Sequence, residues 1–172
     1  MREYAESILI ALVLALLIRT FVVQPFKIPT GSMRPTLMEG DRILVNKYLY
    51  RFKDPQRGDI IVFKYPGEEK KDYIKRLVAL PGETVGIEEG RVKIGDKIMT
   101  EPEILTHFHY YNRGSFGHVG KSVDVPQDAY FVLGDNSGSS EDSRFWGYVP
   151  QKNLVGRAFM IFWPPQRVRL LK

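Results

Sequence analysis

The sequence predicts a mainly β protein behind one N-terminal transmembrane helix, and three observations carry that prediction. Short runs rich in β-branched and aromatic residues recur between Asp41 and Trp163, turn signals separate them, and no long helical period follows Val23. With 172 residues, 44% of them hydrophobic, the chain is long enough to bury one main core.

The first element is the run Ser7–Val23, "SILIALVLALLIRTFVV". Its stretch from Ile8 to Ile18 has no polar stripe, so it does not read as an amphipathic helix packed on a core. A cleaved secretory signal needs small residues just after the apolar region, and "RTFVVQPF" offers bulky ones. Arg19 lies near one end, where its long side chain can snorkel to the interface. The run therefore reads as an uncleaved anchor. Its orientation stays open on charge alone, because Arg2 is offset by Glu3 and Glu6 while Arg19 and Lys27 flank the other end.

Strands follow. "DRILVNKYLY" and "GDIIVFKYP" carry the strand composition, the charged "PGEEKKD" reads as a hairpin loop, and "YIKRLVALPGE" returns as the next strand. Gly90 and Gly95-Asp96 punctuate short alternating runs into small hairpins. From Thr100 to Pro126 the pattern dissolves into Gly, His, Tyr and Asn, a loop-rich excursion. "AYFVLGD" and "NLVGRAFMIFW" resume the strand signal.

Composition limits the chemistry. Without cysteine there is no thiol nucleophile, disulfide or thiolate metal site. The net charge of +5 is spread among 20 acidic residues rather than gathered in a block, which favours lipid headgroups over nucleic acid as a partner.

Three segments carry candidate chemistry. In "PTGSMRPTL", Ser32 sits in a glycine-flanked loop whose amides could face an oxyanion, yet most Gly-Ser pairs are simple turns. His107, His109 and His118 all fall in the excursion. They lack both zincin spacing and an evident carboxylate partner, so they read as exposed loop residues rather than a base or a metal site. Lys75 lies inside the apolar "YIKRLVAL", where burial would depress its pKa and make it a usable base. An edge-strand lysine that blocks aggregation is the competing reading of that segment. In "LGDNSGSSEDSRFWGYVP", Asp142 and Arg144 could form an ion pair that pins a loop, and a serine hydroxyl could hold a neutral amine, or the whole could be a polar turn.

Taken in order, the anchor, "PTGSMRPTL", "GDRILVNKY", "RGDIIVFKYP", "YIKRLVALPGE" and "GDNSGSSEDSRFWGYVP" closely resemble bacterial type I signal peptidase, the serine/lysine endopeptidase family that removes signal peptides. The resemblance implies Ser32 as nucleophile and Lys75 as general base on a core of antiparallel β-sheets. It implies an oxyanion hole from the Thr30 hydroxyl and the Ser32 amide, with Ser140 orienting the lysine and Asp142 and Arg144 in a supporting salt bridge. Thr30 stands where some members have serine, and Ser137-Gly138 where many have Arg-Asp.

By the same resemblance, 1–6 form a short cytoplasmic tail and 7–23 the anchor. Residues 24–90 and 127–172 form the catalytic core, outside the cytoplasm, and 91–126 a small inserted cap. Exported precursors with small residues at the cleavage site are the implied substrates, with Phe26 to Met33 as the edge that pairs with them. No cofactor or metal is implied. Two other readings remain beside it. A self-cleaving repressor would need a DNA-binding helical domain that the residues before Pro25 cannot encode. A membrane-tethered β domain that binds lipid or peptide would leave the apolar setting of Lys75 without purpose.

Overall fold

The computed structural model describes residues 2–17 and 23–171. Helix α1, Arg2–Leu17, is 16 residues long. Its Ile8, Leu9, Ile10, Leu12 and Val13 side chains are exposed. No helix among the described residues is long and apolar enough to cross a membrane. Residues 18–22 of the expected anchor lie outside the described residues, and its last residue, Val23, instead opens strand β1 (Val23–Lys27).

Twelve strands are described. After β1 come β2 (Arg42–Asn46), β3 (Ile60–Tyr65) and β4 (Glu68–Ala79). Then follow β5 (Thr84–Glu88), β6 (Arg91–Ile94), β7 (Lys97–Ile98) and β8 (Ser122–Asp124). The last four are β9 (Ala129–Leu133), β10 (Val149–Pro150), β11 (Leu154–Trp163) and β12 (Arg169–Leu170). One sheet has the order β1-β2-β11-β3-β4-β9-β10, with β12 on β11, and a smaller one has the order β7-β6-β5-β8. The described pairings are antiparallel, as the hairpin pattern predicts.

The hydrophobic pattern explains why β3 is central. Ile60 and Val62 enter one buried cluster with Ile28, Met33, Leu37 and Ile43, while Ile61 and Phe63 enter another with Leu77, Tyr130 and Val132. Successive side chains leave a strand on opposite faces, so a continuous apolar run is what a strand covered on both faces requires. Each such side chain contributes about 1.5–3 kcal/mol when fully buried.

One expectation about a loop changes. The charged "PGEEKKD" is not a hairpin loop: only Pro66-Gly67 turns, and β4 already begins at Glu68. Glu68–Asp72 are exposed, so this ribbon needs no apolar face, and ion pairs Lys64–Asp72 (2.8 Å) and Lys71–Glu68 (2.6 Å) line it. In the smaller sheet β6 and β8, within the 91–126 region, pair with β5. The β5–β6 hairpin turns at Glu89-Gly90, both with positive φ, a conformation glycine adopts without strain. This second sheet is no separate layer: Val85, Ile87, Val92 and Val123 share one buried cluster with Val78, Phe131 and Leu133 of the main sheet. The excursion beyond β7 adds Leu105 and Tyr110 to that cluster.

Candidate active site

Ser32 sits in a 3-10 turn, Gly31–Met33, that follows β1. Three contacts fix this turn. Met33 is fully buried in the apolar cluster and its carbonyl accepts from the Leu37 amide at 2.8 Å. The Ser32 carbonyl accepts from the Asn136 amide at 3.0 Å, and the Gly31 carbonyl accepts from the Asn136 side chain at 3.0 Å. Asn136 was not singled out by sequence reasoning. Its role depends on main-chain atoms more than a hundred residues away, and only its place after Gly134-Asp135 hinted at it.

Lys75 comes from the buried half of β4. Its Nζ donates to Ser32 Oγ at 2.7 Å and to the Ile74 carbonyl at 3.1 Å, and it lies 5.6 Å from the centre of the Tyr73 ring. The residue is only 4% exposed. Burial disfavours the ammonium form and pushes the pKa down to about 8, while Asp142, Asp135 and Glu141 pull the other way. Desolvation wins because those carboxylates are not its hydrogen-bond partners. Asp135 and Asp142 are each committed to an arginine.

Arg76, the next residue in β4, holds Asp135 through Nε at 2.7 Å and a terminal nitrogen at 2.6 Å, both partners fully buried. Its other terminal nitrogen donates to the Gly58 carbonyl at 2.7 Å. Asp142 caps the short helix α2 (Ser143–Trp146) and binds Arg144 through both oxygens, each at 2.8 Å. Asp142 also accepts from the Gly134 amide at 3.0 Å. Arg144 reaches on to Ser137 Oγ (2.6 Å) and the Tyr111 carbonyl (2.8 Å). These are charge-assisted bonds in a dry setting, where bidentate geometry is strongest. The excursion therefore takes part in shaping the site: Tyr111 and Ser137 bond each other as well, amide to Oγ at 2.8 Å.

The Ser140 hydroxyl makes no hydrogen bond to Ser32 or Lys75. Its Oγ is buried and has no hydrogen-bond partner among the described residues. The backbone brings it close all the same: a Cβ on Gly134 would stand 2.1 Å from Ser140 Oγ and 2.5 Å from the Ser32 carbonyl. Only glycine lets these two segments meet. Thr30 precedes the turn with an extended backbone, its hydroxyl makes no capping bond, and it lines the same cavity as Ser32 and Lys75. That cavity measures about 240 Å³ and is also walled by Pro29, Tyr73 and Ile74.

The histidines lie elsewhere. His107 faces Glu103 at 3.7 Å and is exposed, and His109 rests against the Tyr111 ring at 4.8 Å. None of the three lines the cavity that holds Ser32 and Lys75.

Comparison with known proteins identifies the family. The family model described as signal peptidase, peptidase S26, matches residues 1–163. A probable signal peptidase I-2 of Synechocystis sp. is 41% identical over 98% of this chain and 76% of its own length. Signal peptidase I of Leptolyngbya laminosa is 44% identical over 96% and 81%. Signal peptidase I P of Bacillus subtilis subsp. natto is 38% identical over 99% and 93%.

Proposed function

Because the chain belongs to the signal peptidase family, peptidase S26, and is a hydrolase that removes signal peptides from exported precursors, we propose that it does so through a Ser32 acyl-enzyme with neutral Lys75 as the general base. One observation supports this reading: the 2.7 Å contact between the buried Lys75 amine and the Ser32 hydroxyl.

The chemistry follows in two halves. Lys75 Nζ takes the Ser32 proton as Oγ attacks the scissile carbonyl, and the ammonium then gives that proton to the departing amine as the peptide bond breaks. Lys75 next takes a proton from water, whose hydroxide attacks the acyl carbonyl. Return of the proton to Ser32 Oγ frees the acid product and resets the site. The Ser32 amide and the Thr30 hydroxyl are the proposed donors to the oxyanion in both halves. Two arginine-bound carboxylates, Asp135 and Asp142, hold the Asn136 and Ser140 segment against the turn that carries Ser32. Ser140 is proposed to orient the amine once a substrate tightens the site, its free hydroxyl being the supporting observation. The small cavity beside Ser32 suits a short side chain before the scissile bond.

The exposed apolar residues of α1 support the reading of a membrane anchor, with the catalytic domain outside the cytoplasm. The test is incubation of the full chain in detergent with a precursor, followed by sequencing of the new N-terminus. Cleavage after a small residue, absent in Ser32→Ala, is expected. Cleavage that survives Ser32→Ala would overturn the assignment.

A further inference from the structure

The loop after β2 has a composition that its place in the sheet does not explain. Lys47 to Lys53 reads "KYLYRFK", cations and aromatics in alternation. It is not a loose linker. The Asn46 side chain accepts from the amides of Tyr48 and Leu49, both at 2.9 Å, and turns the chain into a 3-10 helix, Leu49–Arg51. The fixed backbone sorts its rings into two sets. Tyr50 points inward and donates to Asp59 at 3.0 Å. Tyr48 and Phe52 stay outside, 5.6 Å apart, with the Arg51 guanidinium 4.6 Å from the Tyr48 ring centre. Phe52 is 80% exposed.

A fixed turn that keeps a phenylalanine in water forgoes the gain that burying it would bring. Lys47, Arg51 and Lys53 make no ion pair among the described residues, and Asp54 is the one carboxylate next to this segment in the sequence. Outward aromatics set among unpaired cations are the chemistry of a membrane–water interface, where rings lie at headgroup level and basic groups meet anionic lipid.

Position supplies the occupant. Asn46 pairs in register with Val23, the first described residue beyond the apolar N-terminal run. The loop therefore starts at the end of the sheet where the chain arrives from that run. Lys47, Tyr48 and Arg51 also line a cavity of about 540 Å³ with Phe26 and Asp72. Asp72 borders the cavity of Ser32 and Lys75 as well.

We propose that Lys47–Lys53 is a second membrane contact, laying Tyr48 and Phe52 at the headgroup boundary and its three cations on anionic lipid. The proposal rests on the anchor reading for which face meets the bilayer. The contact would turn the groove beside Phe26 and Asp72 toward the surface from which a precursor emerges.

The absence of cysteine makes the test direct. Full-length chains carrying a single cysteine, Lys53→Cys, Leu12→Cys or Val119→Cys, are labelled with an environment-sensitive fluorophore. They are then reconstituted into vesicles of phosphatidylglycerol and phosphatidylcholine containing nitroxide-bearing lipid. Val119 is 84% exposed and belongs to the excursion, so it serves as the aqueous control. Quenching at 12 and 53 but not at 119 is expected, with the signal at 53 lost on adding Phe52→Asp. Replacing the anionic lipid should weaken quenching at 53 and leave it unchanged at 12. Quenching at 12 without quenching at 53 would overturn this proposal and leave the anchor standing. Quenching at 53 without quenching at 12 would support the surface contact and overturn the anchor. Quenching at neither would overturn both.

Discussion

Lys75 and Arg76 are neighbours in one strand, both buried, both cations by composition, and they have opposite surroundings. Arg76 has its charge met: Asp135 accepts two bonds from it and the Gly58 carbonyl a third. Lys75 is offered a hydroxyl and a carbonyl, but no carboxylate within bonding distance. The difference is in partners more than in depth. A buried guanidinium with a bidentate carboxylate stays charged and acts as a strut. A buried amine without one is driven toward its neutral form, and a neutral amine beside a serine is a base. Successive strand residues leave on opposite faces, so one strand delivers a structural cation and a chemical one to two settings with no extra chain.

The largest expected effect removes the property that sets Lys75 apart. Lys75→Arg keeps a positive charge and much of the length, but a guanidinium does not give up its proton. Turnover of a good precursor should fall by about a thousandfold or more, the scale of a lost general base. Near-normal turnover would mean that position 75 needs only a cation, and the contrast with Arg76 would collapse.

Stability should separate the two residues in sign. Arg76→Met leaves Asp135 buried and unpaired, which should cost about 3–5 kcal/mol in denaturant unfolding. Lys75→Met removes a desolvated amine that the fold has to tolerate. A pKa moved from 10.5 to about 8 corresponds to about 3 kcal/mol of penalty on the charged form. The substitution should therefore stabilise the inactive protein by about 2 kcal/mol at neutral pH. The gain depends on pH. Below about 8 both the folded and the unfolded lysine are protonated and the penalty is fully present. Between about 8 and 10.5 the unfolded chain binds more protons, so the wild-type protein gains stability and the difference from Lys75→Met should shrink. Destabilisation by Lys75→Met at neutral pH would contradict the account.

How much of this contrast was legible beforehand follows from what sequence patterns record. An apolar run with one lysine in it, "YIKRLVAL", announced an unusual Lys75, and the spacing of Asp142 and Arg144 announced a local ion pair. Arg76 escaped notice because its partner lies 59 residues away and nothing local pairs them. Asn136 escaped because it recognises main-chain carbonyls, which every residue carries. The strand order was hidden for the same reason: β11 slots between β2 and β3, and apolar alternation says which face is buried but not which neighbour. The outer half of β4 was misread because a ribbon in water can be a strand without apolar residues. The excursion's irregular composition concealed that Tyr111 holds Arg144.

The smallest expected effect concerns Ser140. Its hydroxyl bonds nothing in the free site, so Ser140→Ala should leave stability nearly unchanged and lower kcat by about tenfold or less with KM unaltered. A loss as large as that of Lys75→Arg would make Ser140 part of the proton path rather than an aid to orientation.

The central claim is that Lys75 gives up its proton near pH 8 rather than above 10 because burial outweighs its surrounding carboxylates. Titration of the Lys75 side chain by NMR, on protein with isotope-labelled lysine and with Lys75→Met to assign the signal, tests it most directly. The account predicts a midpoint near 8, with the acidic limb of kcat/KM rising through the same pH. A midpoint near 10.4, the value of a lysine in water, would contradict it and leave the protein with a cation where it needs a base.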